Sequence, residues 1–275
     1  MDDAACTTAD VGSEYPAGFF GCTSGPECDD GEYCDGTELC TNGFCSGHTG
    51  NPCAAAVDCG RTCDEGSTSC VPDPTGTPCA DDGDLCTGDR CDGAGTCHHQ
   101  AEIDSTCSAP TATGKASLLV KADPDPAKRA LSFSWTKGAA TTAGDFGDPT
   151  SGTAYALCLY DESAGAGTAT LRLEASAPAG GSCASKPCWK STATGFAYAD
   201  KDLTPGGVKT LKLTAGSTGR AKVTLSGKGA LLAPQAPPYA PKLTAQVRGS
   251  NGSCFGAVFS GLAKNGGTLV KGKSD

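Results

Sequence analysis

Fourteen of the 19 cysteines fall between Cys22 and Cys107, and twelve of those follow a period. Cys28, Cys34, Cys40 and Cys45 form a first unit, Cys53, Cys59, Cys63 and Cys70 a second, and Cys79, Cys86, Cys91 and Cys97 a third. The units start 25 and 26 residues apart, the second and third follow GNP and GTP, and Cys107 stands where a fourth would begin. A fixed period in this range marks a one-dimensional array in which each unit leans on its neighbour. An apolar core cannot hold such an array here. Residues 1–112 contain nine Leu, Ile, Val or Phe, too little area to offset the entropy of ordering the chain. Covalent bridges or metal must do so.

Spacing decides between these. C-type haem and thioredoxin-like redox sites rest on CxxC, which does not occur in the sequence, and structural zinc pairs CxxC or CxxxxC with a matching second pair, whereas Cys40–Cys45 and Cys86–Cys91 are single CxxxxC pairs in different units. The expected structure of 22–107 is therefore a short rod of disulfide-stapled loops, with seven bridges among its fourteen cysteines and a connectivity that spacing leaves open. Glycines beside the cysteines supply positive-φ turns. In the third unit, CADDGDLCTGDRCDGAGTC, Asp81, Asp82 and Asp84 are the candidate ligands for calcium, which takes hard oxygen donors on tight turns. The EF-hand register is absent, and the competing reading is a solvated acidic face. His98-His99 beside these loops is a second candidate metal pair. Nineteen is odd, and Cys6, on the terminal arm, is the expected free or intermolecular thiol.

Past SAPTATG the text changes. KASLLVKAD, RALSFSWTK, GTAYALCLYDES, TATLRLEAS, GFAYADKD, VKTLKLTAG, RAKVTLSGKG and PKLTAQVRG read as strands, punctuated by Gly, Asp and Pro. No segment sustains a helical period. The fold expected overall is mainly β: an acidic, disulfide-rich repeat domain over 1–112, then a basic antiparallel β-sandwich, jelly-roll-like, over 113–275, with eight to ten strands. APQAPPYAP, 233–241, reads as an extended crossover or edge segment. Cys183 and Cys188 close a short loop, and a bridge between Cys158 and Cys254 is expected because both lie in apolar strands. Trp135 and Trp189 are expected in the core.

Charge divides at the same boundary. Residues 1–112 carry 21 Asp and Glu against two Arg, a formal −19, and residues 113–275 carry 19 Lys and Arg against ten acids, a formal +9. Either two solubilising surfaces differ in sign, or the halves attract, within one chain or between neighbours.

Two resemblances emerge from these motifs. GTPCADDGDLCTGDRCDGAGTC ahead of CWKSTATGFAYADKD, VKTLKLTAG and VRGSNGSCFGAVFS resembles uncharacterised secreted proteins of myxobacteria and other Deltaproteobacteria, over most of 25–260. That resemblance implies lineage and compartment and brings no activity with it. CDDGEYCDGTELC, 28–40, looks locally like an animal disintegrin module but carries no RGD.

Catalytic patterns are poor. The three histidines all lie in the cysteine-rich half, GxSxG, Walker and GxGxxG motifs are absent, and Ser134-Trp135-Thr136-Lys137 matches SxxK only inside an alternating strand. Asp200 and Asp202 read as turn residues rather than a glycosidase pair. No catalytic residue is therefore nominated, and the chain is expected not to be an enzyme. No transmembrane run is present, and an acidic chain without aromatic-interleaved basic patches does not suit nucleic acid. MDDAACTTAD lacks a basic-then-apolar leader, whereas the cysteine content fits an oxidising compartment. The expectation is a secreted or cell-surface protein whose leader has been removed or lies outside this sequence. The leading function is self-association into a head-to-tail filament or surface assembly, acidic half on basic half. The alternative is a monomeric adhesion module binding an acidic polysaccharide or cell-surface glycan, with no cofactor beyond calcium.

Overall fold

The structure, a computed structural model, describes residues 21–54 and 58–275. Cys6, the expected odd thiol, lies outside the described residues. The chain divides into two compact units, one running to Asp82 and including Asp89–Gln100, the other formed by Gly83–Gly88 with Ala101–Asp275. The sequence reading put one boundary at 112. The structure instead assigns the heart of the third repeat and the segment after it to the second unit.

Each repeat supplies one hairpin: β1 (Glu38–Thr41) with β2 (Phe44–His48), β3 (Thr62–Asp64) with β4 (Ser69–Val71), and β5 (Thr87–Cys91) with β6 (Cys97–Ala101). The first turns at Asn42-Gly43, both at positive φ (56° and 83°), the conformation that a two-residue type I′ hairpin turn requires and Asn-Gly favours. Hairpins this short are not stable alone. Cysteines bind them in two alternating patterns. Staples within a repeat join its first and fourth cysteines, Cys28–Cys45, Cys53–Cys70 and Cys79–Cys97, spanning 17, 17 and 18 residues. Relays join one repeat to the next, Cys34 to Cys63 in β3 and Cys59 to Cys91 in β5. Cys22, ahead of the first repeat, bonds to its third cysteine, Cys40.

The second unit is a sandwich. Its larger sheet has eight strands in the order β13 (Trp189–Thr192), β14 (Gly195–Ala199), β15 (Val208–Thr214), β16 (Ala221–Lys228), β8 (Ala130–Gly138), β7 (Ala116–Lys121), β20 (Leu269–Lys273), β19 (Leu262–Gly266). Its smaller sheet runs β10 (Thr170–Ala177), β9 (Tyr155–Asp161), β17 (Leu243–Gly249), β18 (Cys254–Phe259). A small hairpin, β11 (Ser182–Cys183) and β12 (Lys186–Pro187), is closed by Cys183–Cys188. The two sheets hold twelve strands rather than eight to ten, because β13 has four residues, three of them polar, and β19 and β20 are short and rich in Lys and Gly, which weakens their apolar signal. Period-two alternation builds the core. Leu211, Leu225, Phe133 and Leu118 form one cross-strand row, and Leu213, Val223, Trp135 and Ala116 the next, all buried. Leu157, Leu159, Val247 and Phe255 meet them from the smaller sheet, with Phe255 edge-on to Trp135 at 5.3 Å. Trp189 is also buried, and its Nε1 donates to Pro178 O at 2.7 Å.

All seven residues of β9 are buried. One face lies in the sandwich core, and the other, Ala156, Cys158 and Tyr160, is covered by Leu85, Cys86, Ala101 and Ile103. This corrects two expectations. Cys158 bonds to Cys86 and Cys254 to Cys107, so Cys158 and Cys254 do not bond to each other. Six bridges, not seven, close within 22–107, since Cys86 and Cys107 bond outside it. The reason is geometric. Cys158 and Cys254 lie in β9 and β18, which are separated in the sheet by β17, and neighbouring strands are about 4.8 Å apart, beyond disulfide reach for Cα atoms two strands away.

The covering segment is fixed by polar contacts as well. Gln246, 2 % exposed, donates from Nε2 to Asp104 O at 2.7 Å and accepts from Asp104 N at 3.2 Å. Tyr160 donates its hydroxyl to Cys86 O at 2.8 Å, and Arg248 Nη1 donates to Glu102 O at 3.0 Å. Burial pushes the Tyr160 hydroxyl up to about 12, which keeps it a donor. Ser108 then pairs in parallel with Phe255, against the β18 edge. The opposite edge, β10, is covered by the proline-rich crossover, where Gln235 N donates to Arg172 O at 2.9 Å.

Candidate interaction surface

The outer face of the eight-stranded sheet follows from the same alternation. Its strands read as lysine, serine or threonine between apolar residues, as in VKTLKLT, AKVTLSGK and LVKGK. Inward positions are apolar, so every second residue faces out. One outward row runs Lys190, Ala197, Lys212, Thr224, Ser134, Ser117, Lys273 across seven strands. Another runs Thr210, Ser226, Ser132, Leu119, Lys271, Lys264. Thr210 and Ser226 share a hydrogen bond at 2.6 Å, which steadies the face without consuming a lysine.

The eight strands contain ten lysines and no Asp, Glu or Arg. Nine of the ten are exposed; the half-buried Lys121 pairs with Asp123 at 2.8 Å and is the only one of the ten in an ion pair among the described residues. Exposed hydroxyls and unneutralised ammonium groups on one sheet give a surface suited to polyanions. A shallow groove crosses it, lined by Ser117, Leu119, Ser132, Lys271 and Lys273. Of the basic residues that the sequence spreads over many strands, Lys115, Lys128, Arg129 and Arg220 fall outside the eight strands, and Lys121, Lys209, Lys212, Lys222 and Lys228 fall within them. The structure gathers these five into one sheet and adds Lys190, Lys264, Lys271 and Lys273. The missed signal was the absence of acid from every strand of one alternating set. Charged groups of the smaller sheet behave differently: Asp161, fully buried, meets Arg172 Nε at 2.7 Å and accepts from Ala240 N at 2.8 Å.

The other nominated residues resolve individually. Asp84 Oδ1 accepts from Cys86 N at 2.7 Å and shapes the turn that presents Cys86. Asp82 lies 3.7 Å from His99, whose Nδ1 is 2.5 Å from Asp89. The Asp89 carboxylate holds the His99 imidazole above its ordinary value. Asp81 is exposed. Asp82 and Asp84 therefore both serve local contacts. His98 faces Asp92 at 3.4 Å. Asp200 is buried rather than a surface turn residue, because its carboxylate accepts from Asp202 N and Thr204 N, each at 2.7 Å. Ser134 stands in an outward row, and the Trp135 beside it is core.

Comparison of the chain with protein-family models, with curated proteins and with solved structures returns no match. Function must therefore be argued from the surface itself. Nine disulfides among the described residues belong to an extracellular or other non-cytoplasmic setting. No helix among the described residues is long and apolar enough to cross a membrane.

Proposed function

We propose that this is a non-enzymatic, secreted structural protein whose copies associate head to tail, the acidic cysteine-rich half of one chain against the lysine face of the next. The observation that carries this reading is the pairing of opposites: ten lysines without one acid in the eight-stranded sheet, and a formal −19 over residues 1–112. Different patches on each copy make the contact heterologous, so it propagates into a filament or closes into a ring according to its rotation. The likeness of the repeats to secreted bacterial proteins supports the compartment. Negative-stain imaging of the non-reduced protein tests the reading. Filaments or rings at low salt that dissolve at high salt are expected, since exposed opposite charges are screened. A chain that stays monomeric at low salt and high concentration overturns it.

The groove among Ser117, Ser132, Lys271 and Lys273 favours one second reading, a monomeric adhesion module holding an acidic polysaccharide. A glycan array separates the two: sulfated or uronic-acid chains retained by single particles support this second reading.

A further inference from the structure

We propose that Asp30, Asp35, Glu38 and His48 form a binding site for a divalent cation of the zinc class in the first cysteine repeat. Asp30, Asp35 and His48 each bring a ligand atom within 4.8 Å of the others. Asp35 Oδ2 is 2.8 Å from His48 Nδ1. That approach lies off hydrogen-bond geometry, so His48 Nδ1 and Asp35 Oδ1 are both closed to water and without a hydrogen-bond partner. Buried polar atoms in that state ask for a ligand.

Glu38 is the independent observation. It opens β1 directly opposite His48, which ends β2, and cross-strand partners project to one face. Glu38 is 9 % exposed. Its charge acts on Asp35. Asp30 and Asp35 thus stand within reach of one imidazole with Glu38 beside them, and residues 22–60 contain no Lys or Arg to balance them. A cation supplies the missing charge. The imidazole selects its class: calcium takes oxygen ligands alone, whereas zinc accepts His nitrogen with carboxylate oxygen. Cys28–Cys45 and Cys34–Cys63 fix the segments that carry these donors. The third-repeat aspartates lack this combination of features.

Calorimetric titration of the chelator-treated, oxidised full chain with zinc chloride tests the site. One zinc per chain is expected, with calcium much weaker. Asp35→Asn and His48→Gln should each weaken zinc by about tenfold or more, and His99→Gln should leave it unchanged. No zinc uptake by the wild type, tighter calcium than zinc, or wild-type affinity in both site variants overturns the proposal. Proton resonances of the histidine rings in the wild type provide a readout independent of variant folding. Zinc should move His48 and leave His98 and His99 in place; movement of the latter pair alone refutes the assignment.

Discussion

Cys86 is bonded to Cys158 across 72 residues of sequence, from the third cysteine repeat to the central region of the smaller sheet. The bond continues a pattern. The second cysteine of each repeat reaches forward, Cys34 to Cys63, Cys59 to Cys91, and Cys86 to a strand of the sandwich. The relay that joins repeat to repeat thus ends by joining the last repeat to a sheet. Closing a loop of that length removes about 4 kcal/mol of unfolded-chain entropy. Joint replacement of Cys86 and Cys158 by Ala should destabilise the second unit by about 3–4 kcal/mol, measured by guanidinium unfolding. Non-reducing peptide mapping should recover Cys86 with Cys158 and Cys107 with Cys254, and no peptide joining Cys158 to Cys254.

The side chain that secures the covering segment is Gln246, whose amide makes both hydrogen bonds to the Asp104 backbone. Gln246→Leu keeps the volume and removes both partners. Leaving buried backbone groups unsatisfied costs about 1–3 kcal/mol each, so a loss of about 2–6 kcal/mol is expected for the two. Hydrogen exchange should show early opening around 101–106 while the core rows stay protected. Equal protection in the variant would mean that the disulfides and the remaining contacts hold the segment without Gln246.

How far the sequence disclosed this arrangement depends on the range of the interaction. Alternation in RALSFSWTK and VKTLKLTAG is local, and it located β8 and β15. Cysteine period is local too, and it exposed the repeats. Partner choice is not local. Cys86 holds the same place in its repeat as Cys34 and Cys59, yet its partner lies in a strand whose two buried faces carry apolar text, Tyr155-Ala-Leu-Cys-Leu-Tyr. That uninterrupted apolar run was the available hint that something covers β9 from outside. The lysine face was half legible: seven of the eight strands displayed a lysine, but only strand order shows that the acid-free strands are neighbours.

Acid should loosen the sandwich through Asp161. Burial works to raise its carboxyl, but Arg172 and the amides of Ala240 and Ser163 outweigh it and hold the group below its ordinary 3.8. A depressed carboxylate pKa contributes stability that is fully present above the unfolded value and is lost as pH falls through the folded one. Stability should therefore drop below about pH 4. Arg172→Met leaves the buried Asp161 without its partner and should cost about 3–5 kcal/mol at neutral pH. The variant should also show a smaller acid-dependent loss in unfolding curves between neutral pH and pH 3.

Gly138 ends β8 against the Trp135 ring, and a Cβ built there would come within 1.8 Å of the indole. Trp135 cannot yield, since it is fully buried and packed on Phe255. Gly138→Ala should destabilise by about 1–3 kcal/mol, the range for overpacking a filled core, and should shift the tryptophan emission. Gly43→Ala tests a different cause. Its Cβ would meet nothing within 4 Å, but φ is +83°, so any loss there reports backbone strain instead of crowding.

The lysine face makes a prediction that separates charge from shape. Lys212 and Lys273 stand in one outward row on opposite sides of the sheet's middle strands, both exposed. Lys212→Glu with Lys273→Glu places two acids where the eight strands have none, while the inward residues that build the core are untouched. Each side chain is solvated, so folding stability should change by less than about 0.5 kcal/mol. Assembly should fail at low salt, because like charges now meet across the contact. Lys212→Gln with Lys273→Gln removes attraction without adding repulsion and should give an intermediate threshold by light scattering. If the glutamate variant assembles as the wild type does, the lysine face is not the contact. Strand addition at the β13 or β19 edge would then be the contact to test, by replacing Ser191 or Ala263 with proline to remove the backbone donor on that edge.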